Sequence, residues 1–328
     1  MAAQIIDGEA VAAQATAKLK TDVEQLRNKG VQPKLAALIA TDNKGARIYA
    51  SNQAKTCEAI GIQYELRELP PTSTEADCLA AVGELNADDS VSGIIIQMPL
   101  PDGVDTRKLQ KAISPAKDAE GMTAANQGGV VYAPQPFLRK PAEGEPGYAD
   151  WLQQSLGWTL PAPAPCTPTG AMMLIRSLNI DIYGKEAVVV GHSEIVGKPM
   201  GILLVAHFCT TTWCHIATKD LAEHTRRADI LCVGVGKPGL VTGDMIKPGA
   251  VVIDIGINRV NKIGPDGQPV LSQKTGKPVK QTVGDVDFAS AKEVAGYITP
   301  VPGGVGPMTV AMLLRNTVEA AKAQAKSQ

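Results

Sequence analysis

The chain has 328 residues, 44% of them hydrophobic and 20% charged, and a net charge of −1. That length favours two domains with a sizeable core, and the near-neutral balance excludes the broad basic footprint that nucleic acid or an anionic membrane surface requires. No apolar run reaches the roughly 18–20 residues that span a bilayer, and residues 1–20 lack the pattern of a signal peptide. The six cysteines are scattered with no C-x-x-C pair. A chain of the reducing cytoplasm, binding neither nucleic acid nor membrane, is therefore expected.

The periodicity predicts an Ala-rich amphipathic helix over 10–29, stopped at Gly30. A strand over 34–41, a helix over 46–60 closed by Gly61 and an alternating strand over 62–69 follow. Next come a helix over 74–86, opened by a Thr74–Asp77 capping box, and a buried strand over 92–97. This β-α-β-α-β order specifies an open parallel sheet with right-handed crossovers. Ligands of such sheets bind beyond the carboxyl ends of the strands, here Thr41-Asp42-Asn43 and Gln97-Met98-Pro99.

Residues 132–168 are rich in Pro and Gly and carry Trp151 and Trp158, seven apart on a predicted short helix; the domain boundary is placed in this stretch. A second α/β unit is predicted from a helix over 169–178, a strand over 187–190, a helix over 195–206 and strands over 210–216, 230–233 and 250–255. Residues 261–281 read as a surface hairpin excursion, and an Ala-rich helix is expected over 310–323.

Within the second unit, the apolar run 187–190 stops at Gly191 and a helix starts a few residues later. A helix N-terminus after a buried strand suits a phosphate, although the spacing G-x-S-x-x-x-G differs from the dinucleotide fingerprint G-x-G-x-x-G. Asp254, inside an apolar strand, needs hydrogen-bond partners and is expected to brace neighbouring backbone. His207, His215 and His224 have no metal-ligand spacing, so no metal site is expected.

Six motifs in order, Ile96-Gln97-Met98-Pro99-Leu100-Pro101, Lys117-Asp118-Ala119-Glu120-Gly121, 165–170 (PCTPTG), 191–199 (GHSEIVGKP), 249–258 (GAVVIDIGIN) and 300–309 (PVPGGVGPMT), resemble the methylenetetrahydrofolate dehydrogenase/methenyltetrahydrofolate cyclohydrolase family over nearly the whole chain. The resemblance implies a two-domain α/β fold. An N-terminal α/β folate domain with a parallel sheet would comprise 1–148 and 308–328, and a Rossmann-type NAD(P)-binding domain 149–307, the C-terminal helix returning to the first domain. It implies a homodimer, NADP or NAD as cofactor, and oxidation of 5,10-methylenetetrahydrofolate to the methenyl form. It also places Tyr49, Gln97, Met98, Pro99, Glu120, Pro302, Gly303 and Gly304 on the folate, and Thr167, Gly191, His192, Ser193, Gly234, Ile257 and Thr309 on the cofactor.

The chain departs from the family where chemistry is expected. The family carries Tyr and, four residues later, a catalytic Lys; here Tyr49 matches and Gln53 stands at the Lys position. Tyr49 and Gln53 share a helical face, while Lys55 lies roughly 200° round the helix from Gln53. Glu120 replaces the pterin-binding Asp, and Met122 replaces a usual Phe. NADP-using members commonly carry Arg where His192 stands and Ser-Arg where Ile216-Ala217 stand, so a weaker NADP preference is expected; Lys198 and Lys219 are nearby cations.

Hydride transfer to the nicotinamide moves no proton, whereas hydrolysis of the methenyl product needs proton transfer that a carboxamide does not supply. Tyr49, Gln53, Gln97 and Glu120 are thus expected at a catalytic centre competent for the first reaction and impaired in the second. Two other readings of the altered pocket remain: a dehydrogenase for a different reduced-pterin one-carbon carrier, and a catalytically silent folate- or nucleotide-binding paralogue.

Overall fold

A computed structural model describes residues 2–132, 162–273 and 276–327. The predicted helix around Trp151 and Trp158, and the expected boundary at 148/149, lie outside the described residues. Two compact units emerge from the fold. Of the described residues, one unit holds 2–11 and 170–308 and the other holds 12–132, 162–169 and 309–327. The described residues depart from the expected division in two places: 2–11 join the six-stranded unit, and 162–169 join the three-stranded one. Strand β1 (Gln4–Ile5) pairs in parallel with a strand near residue 297, so the first residues complete the sheet of the second half of the chain. Two residues of strand were too short to carry a sequence signal.

In the three-stranded unit, α1 (Gly8–Asn28) leads to β2 (Lys34–Ile39), α2 (Lys44–Ile60), β3 (Gln63–Glu68), α3 (Glu75–Ala87) and β4 (Gly93–Ile96). The strands form an all-parallel sheet in the order β3-β2-β4, with Leu38 opposite Ile96. Strands β2 and β4 are buried on both faces, which is why they read as continuous apolar runs. Ala36, Leu38, Val82, Leu85, Ile94 and Leu109 pack one core. Helix α2 begins under Asn43, whose Oδ1 accepts from the N–H groups of Gly45 (2.9 Å) and Ala46 (3.1 Å), and ends at Gly61 with φ +83°. The Thr74–Asp77 capping box is present at α3.

Two short helices follow that the hydrophobic pattern did not predict, α4 (Thr106–Ala112) and α5 (Ala124–Val131). At seven and eight residues they are too short for a clear period; each is opened by a side-chain cap, Asp105 and Thr123.

In the six-stranded unit the elements are most of α6 (Cys166–Ser177), β5 (Glu186–Val190), α7 (Gly197–Ala206), β6 (Thr210–Cys214), α8 (Leu221–Thr225), β7 (Ile230–Val233), β8 (Val251–Asp254), β9 (Asn258–Asn261), β10 (Lys280–Val283), α9 (Phe288–Ala291) and β11 (Tyr297–Ile298). The main sheet is parallel in the order β1-β11-β8-β7-β5-β6. Strand β5 has β6 on one side and β7 on the other, so the connections leave it in opposite directions. That is the topological switch point at which doubly wound sheets bind ligands. Strands β9 and β10 form the expected antiparallel excursion.

Several boundaries differ from expectation, and three of them have a local cause. Helix α7 begins at Gly197, because residues 192–196 form a turn closed by Ser193. Strand β6 ends at Cys214, because His215 and Thr218 hydrogen-bond into a turn. The last helix, α10 (Val305–Ser327), starts five residues early, since Pro307 falls in its first turn, where no N–H partner is lost. Among the described residues, no helix is long and apolar enough to cross a membrane.

Candidate functional site

In the three-stranded unit the candidate site grows from helix α2. Its buried stripe is Ala46, Ala50, Gln53, Cys57 and Ile60, a 4-3-4-3 spacing that keeps one face inward. Gln53 is the polar member of that stripe and is only 2% exposed. Its Oε1 accepts from Nε2 of Gln97 at 2.6 Å and from the Tyr64 hydroxyl at 3.4 Å. Its own Nε2 is buried without a hydrogen-bond partner. Gln97 is also buried, at the end of β4, where its backbone N–H donates to the Leu38 carbonyl at 2.8 Å. Two neighbouring strand ends and one helix thus fix a carboxamide pair, and Lys55 is exposed on the far side of α2.

Tyr49, one turn before Gln53, is 42% exposed, so the two share a face with Tyr49 at its rim. Desolvation raises the Tyr49 hydroxyl pKa and the Glu120 carboxylate raises it further, while the neighbouring Gln53 amide acts as a weak donor that lowers it. Burial, with Asp118 adding repulsion, pushes the Glu120 carboxyl up to about 7. Glu120 keeps part of its surface accessible. A carboxyl that titrates near neutrality therefore faces a tyrosine beside a carboxamide.

The rest of the Lys117–Gly121 motif is framework. Lys117 Nζ donates to the carbonyls of Asn86 (2.8 Å) and Asp88 (2.7 Å), and so caps the C-terminal end of α3. Asp118 Oδ2 accepts from Thr123 N (2.7 Å) and Asn126 Nδ2 (2.9 Å), anchoring the start of α5. Asn316 Nδ2 donates to the carbonyls of Ala119 (2.9 Å) and Ala164 (2.8 Å), clamping the backbone on either side of Glu120 and Cys166.

In the six-stranded unit the expected cofactor residues sit at the switch point. Gly191 follows β5 with φ +127°, and a Cβ there would stand 2.5 Å from the Gly234 carbonyl oxygen, so only glycine fits. Ser193 Oγ accepts from Val196 N (3.1 Å) and Gly197 N (3.4 Å) at the mouth of α7. His192 lies against His215, their ring centroids 5.3 Å apart. His215 Nδ1 accepts from Ala217 N at 3.2 Å, which leaves Nε2 as the outward nitrogen. Ile216 is fully exposed. The glycine turn, the following helix N-terminus and the reversal of strand order fit a dinucleotide.

Asp254 braces backbone as expected. Its Oδ1 accepts from Gly256 N and Asp285 N (both 3.0 Å) and its Oδ2 from Val286 N (2.9 Å). Burial still raises its carboxyl to about 6, against these N–H groups and helped by the nearby Asp285. Asp285, which the sequence reading did not single out, is fully buried beside it. Tyr64, reading as one residue of an alternating strand, was likewise missed.

The remaining expected residues are distributed over both units. Met98 and Pro99 follow Gln97, joined by a cis peptide bond; Pro302, Gly303 and Gly304 belong to the six-stranded unit. Thr167 and Thr309, expected on the cofactor, both fall in the three-stranded unit and are hydrogen-bonded to each other at 3.2 Å. His207 is buried with Nδ1 2.8 Å from the Leu203 carbonyl, and burial lowers its pKa to about 4, which makes it a core residue.

Comparison with known proteins agrees with this geometry. Residues 6–120 match the tetrahydrofolate dehydrogenase/cyclohydrolase catalytic domain, and residues 165–325 match the NAD(P)-binding domain of the same family. The chain is 44% identical to a bifunctional protein FolD of Moorella thermoacetica, over 98% of this chain and 100% of that one. The crystal structure of a bifunctional FolD methylenetetrahydrofolate dehydrogenase/cyclohydrolase from Campylobacter jejuni superposes with a TM-score of 0.80 at 38% identity, covering 98% and 99% of the two chains. That of the Trypanosoma brucei methylenetetrahydrofolate dehydrogenase-cyclohydrolase, complexed with NADP and an inhibitor, gives 0.83 at 34% identity and 99% of each. With matches of this extent in both halves, the chain belongs to the tetrahydrofolate dehydrogenase/cyclohydrolase family.

Proposed function

We propose that this protein oxidises 5,10-methylenetetrahydrofolate to 5,10-methenyltetrahydrofolate with NAD(P) and that its hydrolysis of the methenyl product is weak. The family membership supports the first half. The observation that carries the second is Gln53, buried where the family resemblance places the catalytic lysine.

The nicotinamide, when bound, supplies the hydride acceptor. The chain's own residues hold the reactants and exclude water. Tyr49 offers the pterin a half-exposed aromatic face, and Glu120 accepts hydrogen bonds from its ring nitrogens. Gln53 Nε2, a buried donor that makes no full hydrogen bond and stands beside the Tyr49 hydroxyl, donates to a substrate oxygen or nitrogen. The hydride leaves the methylene carbon with its electron pair, and the remaining positive charge is shared by the two flanking nitrogens; no protein group takes a proton.

Hydrolysis differs. Water must add to that carbon and lose a proton, and the carboxamides of Gln53 and Gln97 have no protonation equilibrium near neutrality to take it. Glu120 is the carboxyl at this end of the site that is raised toward neutrality. The selectivity for NADP over NAD is weak, since the turn after β6 offers Ile216 where a fixed cation would grip a 2′-phosphate, leaving that contact to His192, His215 and the nearby Lys198 and Lys219. The family resemblance further supports pairing of the subunits as homodimers.

Parallel assays of both reactions on the purified protein test this reading. Dehydrogenase turnover with cyclohydrolase turnover at least a hundredfold lower is expected; equal rates would remove the proposed role of Gln53. Absence of any NAD(P)-dependent oxidation would favour a silent binding paralogue.

A further inference from the structure

The loops that flank the expected cofactor residues Gly234 and Ile257 are held by one carboxylate outside any motif singled out above. Asp285 follows β10 and is fully buried. Its Oδ2 accepts from the backbone N–H groups of Val235 (2.5 Å) and Gly236 (2.8 Å), in the turn after β7. Its Oδ1 accepts from Nδ2 of Asn258 at 2.8 Å, at the end of the turn after β8. Its own N–H donates to Asp254 Oδ1, which also receives Gly256 N. Two carboxylates in series therefore tie three loops at the carboxyl ends of β7 and β8 and behind β10.

The packing leaves room for this arrangement and no more. A Cβ on Gly256 would collide with the Asp285 carboxyl, and one on Gly284 with that of Asp254. The exposed side chains at the two tied turns are apolar: Val235 is 41% exposed and Ile257 is 68% exposed. Unsupported loops do not keep such residues out in water at a fixed spacing. A charged acceptor with N–H donors from both turns does, because each hydrogen bond to a carboxylate is shorter and stronger than a neutral one.

We infer that Asp285 is a positioning residue for the dinucleotide: through Val235, Gly236 and Asn258 it sets the separation of the Gly234 and Ile257 turns, and these form an apolar slot for a flat ring of the cofactor. This rests on the reading of the switch point as the NAD(P) site. Asp285 touches neither reactant and takes no proton.

The test uses full-length protein carrying Asp285→Ala, Asp285→Asn and Asn258→Ala. Each is measured for NADPH and NADH binding by fluorescence titration, for KM of cofactor and of methylenetetrahydrofolate, and for Tm. The expected result is a cofactor Kd and KM raised about tenfold or more in Asp285→Ala, with the folate KM unchanged, and partial recovery in Asp285→Asn, which keeps one acceptor oxygen. Asn258→Ala, which cuts one leg and keeps the charge, is expected to show the same selective loss at smaller size. It carries the test if Asp285→Ala does not fold. A lowered Tm with unchanged cofactor Kd in Asp285→Asn and Asn258→Ala would overturn the inference and leave Asp285 as scaffold. If the unmodified protein binds neither dinucleotide, the switch-point reading itself fails, and this is seen before any variant is compared.

Discussion

Each unit carries a buried polar cluster at the carboxyl ends of parallel strands, and the two clusters are built on opposite principles. Around Asp254 and Asp285, every carboxylate oxygen meets an N–H donor at 2.5–3.0 Å. Around Gln53, one oxygen receives two donors while the amide nitrogen makes no full hydrogen bond, and a largely buried carboxyl nearby is pushed up to about 7. A satisfied cluster fixes backbone; an unsatisfied one costs stability, about 1–3 kcal/mol for a buried unpaired group, and is tolerated where a ligand completes it. Charge alone does not mark a reactive site in this protein. The more highly charged cluster is the structural one.

The sharpest way to break that contrast is to restore an ionisable group to the unsatisfied cluster. Gln53→Lys is expected to raise methenyltetrahydrofolate hydrolysis by roughly 10²-fold or more, measured as loss of methenyl absorbance, with dehydrogenase turnover changed far less. A lysine without effect would show that the pocket has been rebuilt around Glu120. Next in size is His192→Arg. A permanent charge at the turn after β5 should shift the kcat/KM ratio of NADP over NAD upward by about tenfold, and an unchanged ratio would place the 2′-position elsewhere.

Glu120 sharpens the comparison through pH. Its folded carboxyl sits at about 7, above the ordinary 4.5, so between these values the folded chain holds a proton that the unfolded chain has released. The stability attached to the protonated form is present below about pH 4.5 and lost as pH rises through about 7. Asp254, raised to about 6, acts in the same direction and His207, lowered to about 4, in the opposite one, so the check is the difference in Tm between the unmodified protein and Glu120→Gln, whose unmodified-minus-variant value should fall from about pH 5 to about pH 8. The smallest expected effect is that of Lys117→Met, which uncaps α3. A loss of about 1–3 kcal/mol in urea unfolding with an unchanged folate KM is expected; a raised KM would move Lys117 from the framework into the site.

Much of this arrangement was legible in the residues. The strands β2, β4, β5 and β7 announced themselves as apolar runs, the α3 capping box held residue for residue, and Asp254 was readable as a brace because a carboxylate inside a buried strand has little else to do. Asp285 was not legible: in a short Gly-Asp-Val-Asp run it resembles a solvated turn, and its role comes from donors at 235, 236 and 258 that only the fold brings to it. Lys117 carried no signal of its own within its motif, because its ammonium is spent on carbonyls at the end of α3 that only the fold brings near. Gln53 was readable as a departure but not as a buried donor without a partner, which depends on the orientation of one amide.

The pairing of Gln4 and Ile5 with Tyr297 and Ile298 also governs how the protein can be made. Strand β1 waits for a partner that lies far along the chain, so this edge of the six-stranded sheet closes only after Tyr297 and Ile298 have been made. Any expression fragment that stops before Tyr297 presents Gln4–Ile5 as an unpaired edge, open to strands of other chains. Biosynthetic order, more than local stability, sets the point at which this sheet is sealed.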